Sequence, residues 1–403
     1  MNIIDPYYKK TISYKLDKYV VQFKLSQDLF SSQEVDHGTQ RLLRTLLFEH
    51  VDSFNKALDL GSGYGPIGIM LKKICPKADV HMVDRDALAL EYSKANAELN
   101  NISDPLAVYG SLGYDGVKDT DFDLIVSNIP GKVGNQVLTH MIKDARFHLV
   151  KNGRVVIVVI DAIADYIHQE LTSDESIEIL FHRAWPGHHV YHYKFTEESY
   201  KEKAVPTKAF ERGEYKRQKN TFHFQNKDLT IDTTFHLPEF DNLSYDSQLL
   251  LANLQKVNGG MQNALIFNPG QGYIPLAIVT KHQPEELFLV DRDLQALTIS
   301  KKNLITNGYS ENQITISHQV GIYKENLIVD SITGILPEQQ SLDVYKLIIE
   351  QSLQLLNTNG QLILSSSSTV ITRIEELISK ETNFTVLDRD RNKGRSVILL
   401  QKK

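Results

Sequence analysis

Two segments in the first third of the chain have the residue types and the spacing of a nucleoside-binding site. The segment "LDLGSGYG" follows a strand-like run and opens a helix, with Gly61 and Gly63 where the backbone must pass close to a ligand. Asp84 ends the next apolar run, 21 residues after Gly63. A carboxylate at that point can accept hydrogen bonds from both hydroxyls of a ribose. The glycine loop alone predicts only a tight turn, but with Asp84 it predicts nucleoside binding.

Asp59 lies just before the glycine loop and indicates which kind of nucleoside this site would bind. A carboxylate that faces the loop would repel a pyrophosphate, whereas it would attract the ammonium group of an amino acid. We therefore expect a single nucleoside rather than a dinucleotide at this site.

The stretch "SNIPGKVG", residues 127–134, follows the strand-like run "DFDLIV". A plain turn does not require Asn128 in front of Ile129 and Pro130. Because it precedes a proline, Ile129 is restricted to extended backbone geometry. Lys132 adds a positive charge that would suit a phosphate or a carboxylate, although a solvated loop lysine is the simpler interpretation. The stretch is a candidate substrate loop.

The length and composition are those of a globular protein with two or three domains. The chain has 403 residues, of which 41% are hydrophobic and 23% charged, and a net charge of −6. A polyanion would therefore need a local basic patch. The single cysteine, Cys75, excludes a disulfide framework and a cysteine-based zinc site. The N-terminus has no signal-peptide apolar segment, and the run "VVIVVIDAIA", which Asp161 interrupts, predicts a buried parallel strand rather than a membrane span.

The chain repeats itself once with a constant offset of 207 residues. The repeated segments include both glycine loops, both "VDRD" acids and both "NG" turns before an apolar run. Pairs at this offset are Gly63 and Gly270, Gly65 and Gly272, Asp84 and Asp291, Asn96 and Asn303, and Gly153 and Gly360. A shared offset over separate segments predicts two tandem copies of one fold, each of about 180 residues.

Strand-like and helix-like segments alternate within each copy, which predicts a doubly wound α/β fold with a parallel sheet. Each copy ends in two strands around a tight turn, Pro186-Gly187 in the first and Lys393-Gly394 in the second. The predicted limits are a first domain over 1–200, a linker over 201–222 and a second domain over 223–403.

The segments "DLGSGYG", "VDRD" and "SNIPG" together resemble class I S-adenosylmethionine-dependent methyltransferases. With "FSSQEVDHGTQRLL" in front of them, they resemble the small-domain enzymes that methylate the exocyclic amine of guanine in ribosomal RNA. The resemblance implies two tandem Rossmann-like methyltransferase domains that arose by internal duplication, one of them degenerate. It also implies S-adenosyl-L-methionine as cofactor, ribosomal RNA or a ribosomal particle as partner, a cytoplasmic location, and neither a metal nor a membrane.

The same resemblance implies a set of cofactor-binding residues: Asp59, Gly61, Gly63, Tyr64, Asp84, Arg85, Ser111, Asn128 and Thr39. In this assignment Asp59 lies near the amine of the methionine part. Gly61 and Gly63 shape the loop around the cofactor.

The remaining roles implied by the resemblance concern the adenosine part. Asp84 takes the ribose and Arg85 borders the adenine. Ser111, with Gly110 before it, contacts the adenine edge. Thr39 belongs to a segment that folds over the cofactor in related enzymes, although a place at a helix N-terminus would also explain it.

The catalytic residues implied by the resemblance are Asn128, Ile129 and Pro130. The family motif is Asn-Pro-Pro-aromatic. Its Asn side-chain oxygen and the next backbone carbonyl hold the N–H bonds of an amine and favour a pyramidal nitrogen with a free lone pair, while its aromatic ring stacks on the base. The extended geometry of Ile129 keeps its carbonyl available. Gly131 replaces the aromatic residue, so the stacking face is missing from the loop.

Two explanations of Gly131 stay open. Another aromatic ring can replace the missing one, and the candidates are Phe30, Tyr64 and Trp185. Each of these rings can equally be a core residue. Alternatively the substrate is not a base, since ribosomal-protein amine methyltransferases have an Asn-Ile pair at the corresponding loop.

The second copy has lost much of the pattern. Ile266, Asn268 and Pro269 stand where the first copy has Asp59, Gly61 and Ser62. The segment "DSITG" from Asp330 is taken as the counterpart of "SNIPG". We expect a non-catalytic copy that serves packing or substrate grip. This departs from the family, in which the second copy is the active one.

The segment "HRAWPGHHVYHYKF" contains four histidines: His182, His188, His189 and His192. Without a neighbouring carboxylate or cysteine cluster, a metal site is not expected. Aromatic, His and Arg side chains on an exposed hairpin can instead contact RNA.

Three functional hypotheses remain. The first is a methyltransferase that acts on an exocyclic base amine of ribosomal RNA. The second is an enzyme of the same fold that acts on a protein or small-molecule amine. The third is a non-catalytic RNA-binding or assembly module, against which the intact first copy argues.

Overall fold

The computed structural model describes residues 5–102, 104–196, 206–257, 261–379 and 383–403. Contacts divide the chain into two compact units. The first unit is Tyr8–Tyr215, and the second comprises Lys216–Lys403 together with residues 5–7. The division falls inside the predicted linker 201–222, of which residues 201–205 lie outside the described part. Among the described residues, no helix has both the length and the apolar character needed to cross a bilayer.

The first unit contains nine strands and six helices among its described residues. Its strands are β1 (Tyr8–Leu16), β2 (Tyr19–Ser26), β3 (Lys56–Leu60), β4 (Asp79–Asp84), β5 (Leu106–Gly110), β6 (Phe122–Asn128), β7 (Leu149–Ile160), β8 (Ile177–Trp185) and β9 (His188–Phe195). Its helices are α1 (His37–Phe48), α2 (Pro66–Ile74), α3 (Ala87–Leu99), α4 (Asn135–Lys143), α5 (Asp161–Thr172) and α6 (Ala209–Arg212).

Seven of these strands form one sheet in the order β5-β4-β3-β6-β7-β9-β8. The first five in this order are parallel, and β9 and β8 are antiparallel to their neighbours. The apolar side chains of β3 and β6, and those of residues 155–159 in β7, are almost completely buried, as expected when helices cover both faces of a parallel sheet. Residues 155–160 of the apolar run lie in β7, which pairs in parallel with β6, so the predicted parallel strand is confirmed for that part. Residues 161–164 open α5 instead.

The second unit repeats this arrangement. Its strands are β10 (Lys216–Phe224), β11 (Lys227–Thr234), β12 (Asn263–Phe267), β13 (Glu286–Asp291), β14 (Ile314–His318), β15 (Val329–Ile335), β16 (Leu356–Ser367), β17 (Phe384–Asn392) and β18 (Arg395–Lys402). Its helices are α7 (Tyr245–Leu254), α8 (Tyr273–His282), α9 (Leu294–Thr306), α10 (Leu342–Leu355) and α11 (Ser368–Ser379). The sheet order is β14-β13-β12-β15-β16-β18-β17. Two apolar clusters, one on each face of this sheet, form the core.

Equivalent elements of the two units begin 207 or 208 residues apart, as the sequence repeat predicts. Lys56 and Asn263 open β3 and β12, and Phe122 and Val329 open β6 and β15. Both predicted hairpin turns lie between the last two strands of their sheets. The predicted fold class, two tandem Rossmann-like α/β domains with doubly wound sheets and C-terminal antiparallel hairpins, is confirmed.

Each unit also has a two-stranded hairpin that the sequence analysis did not predict: β1 with β2, and β10 with β11. Two asparagines of α3 hold the first hairpin. Lys24 donates its N–H to Asn96 Oδ1 at 2.7 Å, and Gln22 donates its N–H to Asn100 Oδ1 at 2.9 Å. Both asparagines donate back to the carbonyls of the same two residues. The hairpin is therefore fixed to the helix that follows β4.

The predicted linker is ordered where the structure describes it. Residues 206–215 belong to the first unit, where the N–H groups of Ala209 and Phe210 donate to the Asp115 carboxylate at 2.6 and 3.0 Å. Residues 216–222 form most of β10, which belongs to the second unit. The limits 1–200 and 223–403 stay predictions.

Candidate functional site

The polar residues singled out in the sequence meet at one edge of the first sheet. Asp59 lies near the end of β3, Asp84 ends β4, Ser111 follows β5 and Asn128 ends β6. These strands are adjacent in the order β5-β4-β3-β6, and the direction of strand progression reverses between β3 and β6. The carboxyl edge at such a switch point is where open α/β sheets bind ligands.

The glycine loop between β3 and α2 needs glycine at three positions. Gly61, Gly63 and Gly65 have φ of 81°, 55° and 90°, in the left-handed region that other residues rarely adopt. A Cβ at Gly61 or Gly63 would have no heavy atom within 4 Å, so the loop backbone faces open space. Gly61 and Ser62 donate their N–H groups to the Val83 carbonyl, both at 2.9 Å, which fixes the loop against β4.

Asp84 is tied to the glycine loop through one carboxylate oxygen and to the start of α3 through the other. Its Oδ2 accepts the Gly63 N–H at 2.8 Å, and its Oδ1 accepts the Asp86 N–H at 2.9 Å. Burial raises the pKa of Asp84, and these two N–H groups and the charge of Arg85 oppose that rise. Because a carboxylate oxygen has two lone pairs, each oxygen can still accept one hydroxyl of a ribose.

Asp59 is a fully buried carboxyl without a cationic partner. It is 0% exposed, and its Oδ2 accepts the Gly68 N–H at 2.7 Å. Its Oδ1 is buried and has no hydrogen-bond partner among the described residues. Burial, helped by the charge of Asp84 and opposed by the Gly68 N–H, raises the pKa of Asp59 to about 7. A buried carboxylate oxygen without a donor favours binding of a cation.

These donors and acceptors fit S-adenosylmethionine. The unpaired Oδ1 of Asp59 suits the ammonium of the amino-acid part, and the half-buried Asp84 suits the ribose. The open space beside Gly61 and Gly63 leaves room for the part of S-adenosylmethionine that joins its amino-acid group to its ribose. The fit rests on Asp59 Oδ1, a buried oxygen for which the described residues supply no hydrogen-bond donor.

The side chain of Asn128 has a fixed orientation. Its Nδ2 donates to Asp36 Oδ2 and to Thr39 Oγ1, both at 3.0 Å. Because a carboxylate only accepts hydrogen bonds, the NH₂ group faces Asp36 and the Oδ1 acceptor faces away from it. The Ile129 N–H donates to the Val158 carbonyl at 2.9 Å, so the loop continues the β6–β7 pairing beyond Asn128. Two acceptors, Asn128 Oδ1 and the Ile129 carbonyl, therefore follow one another at the edge.

The place beside Gly131 is taken by an aliphatic side chain. A Cβ at Gly131 would lie 2.6 Å from Ile160 Cδ1. Ile160 ends β7 and is 38% exposed, two residues after Val158, which pairs with Asn128. An aromatic residue at position 131 would collide with Ile160 unless that side chain moved. The missing ring is thus accompanied by an exposed apolar group at the same place.

None of the three candidate rings contacts the substrate loop in a described interaction. Tyr64 is buried, with its ring 5.5 Å from that of Phe23, which places it in the core. Phe30 is 73% exposed. Trp185 lies at the β8–β9 turn under two arginines, described below. Lys132 is exposed, as a solvated loop lysine would be.

The other predicted cofactor and catalytic residues occupy the same edge. Ser111 is buried, and its hydroxyl donates to the Gly113 carbonyl at 2.6 Å and accepts the Gly116 N–H at 2.8 Å. Its side chain therefore shapes the loop after β5, and a contact with an adenine edge stays a prediction. Arg85 directly follows Asp84, and Pro130 is half-buried beside Ile129.

Three residues of the site were missed by the sequence analysis. Gly68 allows α2 to approach β4, because a Cβ there would lie 2.4 Å from Met82, and its N–H holds Asp59. Asn96 Nδ2 donates to the Tyr64 carbonyl at 2.9 Å and so joins the loop to α3. Asp36 caps α1 and orients Asn128. The repetition of Asn96 as Asn303 was a usable signal for one of them.

The histidine segment has no metal-binding arrangement. The rings of His182 and Tyr191 are stacked with centroids 4.2 Å apart, and His182 Nε2 lies 3.3 Å from His189 Nδ1. Within the described ranges, no group of three or more His, Cys, Asp or Glu side chains has the geometry to hold a metal ion.

The counterpart of the substrate loop in the second unit is not "DSITG", so that sequence alignment was wrong. The Ile129 N–H bond to Val158 is repeated 207 residues later, where Leu336 donates its N–H to the Ser365 carbonyl. Ile335 therefore replaces Asn128, and the proline is kept as Pro337. The sequence comparison started the loop at the beginning of β15, whereas strand pairing places it at the end.

The rest of the second edge is also changed. Ile266 replaces the buried carboxylate of the first unit. Asn268 adopts φ of 49° at the position of Gly61, and its Nδ2 donates to the Ile335 carbonyl at 2.9 Å. A Cβ at Gly334 would lie 2.3 Å from the Phe267 ring. Side chains thus occupy the edge that is open in the first unit.

Comparison with known proteins identifies related sequences and a solved structure that aligns with almost the whole chain. Protein YbxB of Bacillus subtilis, which is uncharacterized, is 32% identical over 38% of this chain and 74% of its own length. Ribosomal RNA small subunit methyltransferase C of Haemophilus influenzae is 37% identical over 32% of this chain, and the match spans about two fifths, 39%, of that relative. The RsmC 16S rRNA methyltransferase of T. thermophilus, solved with AdoMet and guanosine, has the same fold, with a TM-score of 0.69, 17% identity and coverage of 98% of this chain and 99% of that one.

A family model matches each unit separately. The description of this family is methyltransferase small domain, and the matched residues are 20–173 and 239–387. These two segments make up well over half of the sequence. The chain belongs to the methyltransferase small domain family.

Proposed function

We propose that the first unit transfers a methyl group from S-adenosylmethionine to an exocyclic base amine of ribosomal RNA. The observation that carries this proposal is the orientation of Asn128, whose NH₂ group is held by Asp36 and Thr39. Its remaining oxygen is thereby presented as an acceptor beside the edge that contains Asp59 and Asp84. An acceptor held in this way is suited to an N–H donor.

The cofactor would be held by the groups described above. The ionised carboxylate of Asp59 would pair with its ammonium, and Asp84 would accept its ribose hydroxyls. When bound, S-adenosylmethionine supplies an electrophilic methyl group on a sulfonium. The backbone of the glycine loop, fixed to Val83, holds the reacting part in one position and limits the access of water.

The substrate amine would be activated by two acceptors. A base amine is a poor nucleophile because its lone pair is conjugated with the ring. Asn128 Oδ1 and the Ile129 carbonyl would accept its two N–H bonds, which favours a pyramidal nitrogen whose lone pair points toward the methyl group. Pro130 restricts Ile129 to the extended geometry that presents this carbonyl. The chain thus contributes position and hydrogen bonding rather than a charged base.

The choice of ribosomal RNA is supported by the relatives, one of which is named for the small ribosomal subunit. A protein or small-molecule amine is the alternative, favoured by the absence of an aromatic residue at Gly131. The exposed Ile160 offers an apolar face in its place. A free RNA strand or an assembled ribosomal particle would both present such a base.

The second unit is proposed to be a degenerate copy from an internal duplication. The constant offset and the repeated pair Asn96 and Asn303 support the duplication. Ile266, at the position of Asp59, leaves that copy without a partner for the cofactor ammonium. A ribosomal RNA substrate would give the protein a cytoplasmic location.

The test uses methyl-labelled cofactor with naked ribosomal RNA, ribosomal particles and total cell protein as acceptors. We expect label in RNA, and nucleoside analysis should find the methyl group on an exocyclic amine. Asn128→Ala should lower turnover by roughly 10²–10³-fold, the usual loss for one preorganised hydrogen bond to a reacting group, with cofactor affinity preserved. Asn135→Ala, an exposed asparagine at the start of α4, is the matched control and should retain full turnover.

Two results would contradict the proposal. Label found only in protein would select the alternative substrate. Unchanged turnover in Asn128→Ala would remove the assigned role of this side chain.

A further inference from the structure

Six side chains, three basic and three aromatic, form a continuous strip on the first unit, here called the Arg-aromatic strip. Its members are Arg41, Arg44, Phe48, Phe181, Arg183 and Trp185. The first three lie at positions i, i+3 and i+7 of α1, which is one face of a helix. The other three alternate along β8, a spacing that favours one face of a strand.

The two rows contact each other at both ends. The rings of Phe48 and Phe181 lie 6.4 Å apart with an angle of 58°. At the other end, the guanidinium of Arg41 lies 5.9 Å from the ring centre of Trp185, and that of Arg183 lies 4.8 Å from it. Basic groups and rings therefore lie side by side in the strip.

The arginines of the strip differ from other arginines of the first unit in their ion pairing. Among the residues that the structure describes, Arg41, Arg44 and Arg183 form no ion pair with a carboxylate. Arg146 and Arg212 of the same unit do, with Asp174 at 2.9 Å and Asp144 at 2.5 Å. In a chain with a net charge of −6, unpaired arginines gathered on one surface indicate an anionic partner.

The exposure of the strip also sets it apart from the core. Phe48 is 67% exposed, and Arg44 and Arg183 are exposed. The exposed ring of Phe48 stabilises the fold little, because it buries little apolar area. It does offer a flat face to a planar ligand.

One end of the strip adjoins the substrate loop. Arg41 Nη1 donates to the Pro186 carbonyl at 2.8 Å and to His188 Nδ1 at 3.0 Å, which joins α1 to the β8–β9 turn. A Cβ at Gly38 would lie 2.7 Å from the His188 ring and 2.8 Å from Asp36 Oδ2. Asp36 in turn holds Asn128. The strip therefore leads from Phe48 to the acceptors of the site.

We propose that the Arg-aromatic strip binds single-stranded RNA and guides it to the substrate loop. Arginines beside rings suit this ligand, because guanidinium groups bind phosphates and both rings and guanidinium planes stack on bases. An acidic peptide would satisfy the arginines but would leave the ring faces unused. The inference rests on the proposed function for the identity of the substrate, and it adds the surface that receives the strand.

The test measures binding of the full chain to a fluorescent, unstructured RNA of about 12 nucleotides, a length within the range of single-strand binding sites. The anisotropy gives Kd at several salt concentrations. Trp185→Ala and Phe48→Ala should each raise Kd about fivefold or more, from the loss of one stacked base. Phe48→Ala changes a largely exposed side chain, so it tests the strip even if Trp185→Ala fails to fold.

The arginines are tested through the salt dependence. Changing both Arg44 and Arg183 to Gln should reduce the slope of log Kd against log salt by about 1.4, since each phosphate contact on a single strand contributes about 0.7. Two variants in the second unit are matched controls. Tyr245→Ala removes a ring that is 52% exposed and lies 4.7 Å from Lys393 Nζ, and Arg373→Gln removes an exposed arginine. Neither should change Kd.

The outcomes separate this inference from the proposed function. Selective weakening by the strip variants supports the inference, even if no methyl group is transferred to RNA, a result that would count against the proposed function alone. Absence of RNA binding, equal losses in strip and control variants, or equal competition by a polyglutamate peptide would each overturn it.

Discussion

Replacing Asp59 by Asn should stabilise the first unit and abolish cofactor binding at the same time. Burial raises the pKa of this carboxyl from 3.8 to about 7, so its ionisation at neutral pH opposes folding. The difference of about 3 pKa units corresponds to about 4 kcal/mol of folding free energy. Asn is neutral and keeps an oxygen that can accept the Gly68 N–H. Above pH 7 the variant should therefore be more stable by up to about 4 kcal/mol.

The pH dependence gives the sign of this effect. Below about pH 4 the side chain is neutral in both proteins, and their stabilities should be similar. Between about pH 4 and pH 7 the unfolded wild-type chain releases a proton that the folded chain retains. The wild type therefore loses about 1.4 kcal/mol per pH unit relative to Asp59→Asn. Thermal unfolding at several pH values should show a gap in Tm that reaches roughly 8–16 °C above pH 7.

Calorimetry with S-adenosylmethionine completes the test. Asp59→Asn should show no measurable binding, because its side chain lacks the charge that pairs with the ammonium. Asp123→Asn is the matched control. The Asp123 carboxylate accepts the N–H groups of Asn55 and Lys56 at the opposite edge of the sheet, so this variant should bind as the wild type does. The reasoning is refuted if Asp59→Asn is less stable than the wild type at pH 8 or retains cofactor affinity.

Three further predictions concern the same unit. Cofactor affinity should fall about tenfold per pH unit below pH 7, because protonation removes the charge of Asp59. Calorimetry from about pH 5.5 to 7.5 measures this affinity, and a flat pH profile would contradict the prediction. Gly131→Phe should impair RNA methylation by colliding with Ile160, and adding Ile160→Ala should restore activity; failure of the double variant in the labelled-cofactor assay would argue against this packing. Asn96→Ala should destabilise the first unit by roughly 2–4 kcal/mol, because buried backbone groups lose their hydrogen-bond partners. Denaturant unfolding measures this loss. A loss under roughly 0.5 kcal/mol, the lower bound for one hydrogen bond, would exclude a structural role of Asn96.

Much of the fold was predictable because the signals were repeated. The alternation of strands and helices, the constant offset of 207 residues and the two hairpin turns each appear twice. The place of Asp84 at the end of β4 was also predictable, since a polar residue that ends an apolar run marks the end of a strand.

Other features depend on contacts between distant segments. The β1–β2 hairpin was missed, although "TISYKL" and "YVVQFKLS" carry a strand pattern, and its attachment to Asn96 and Asn100 is visible only in three dimensions. The loop of the second unit was misaligned although the offset of 207 residues, which pairs Pro130 with Pro337, gives the correct register. No pattern in the sequence relates Ile160 to Gly131, which lie 29 residues apart.

The central claim is that the first unit binds the cofactor and the second does not. Calorimetric titration of the full chain with S-adenosylmethionine measures this directly as a stoichiometry. We predict one cofactor per chain, loss of binding in Asp84→Ala and unchanged binding in Asp291→Ala, its counterpart in the second unit. Two cofactors per chain, none, or loss of binding in Asp291→Ala alone would contradict the account.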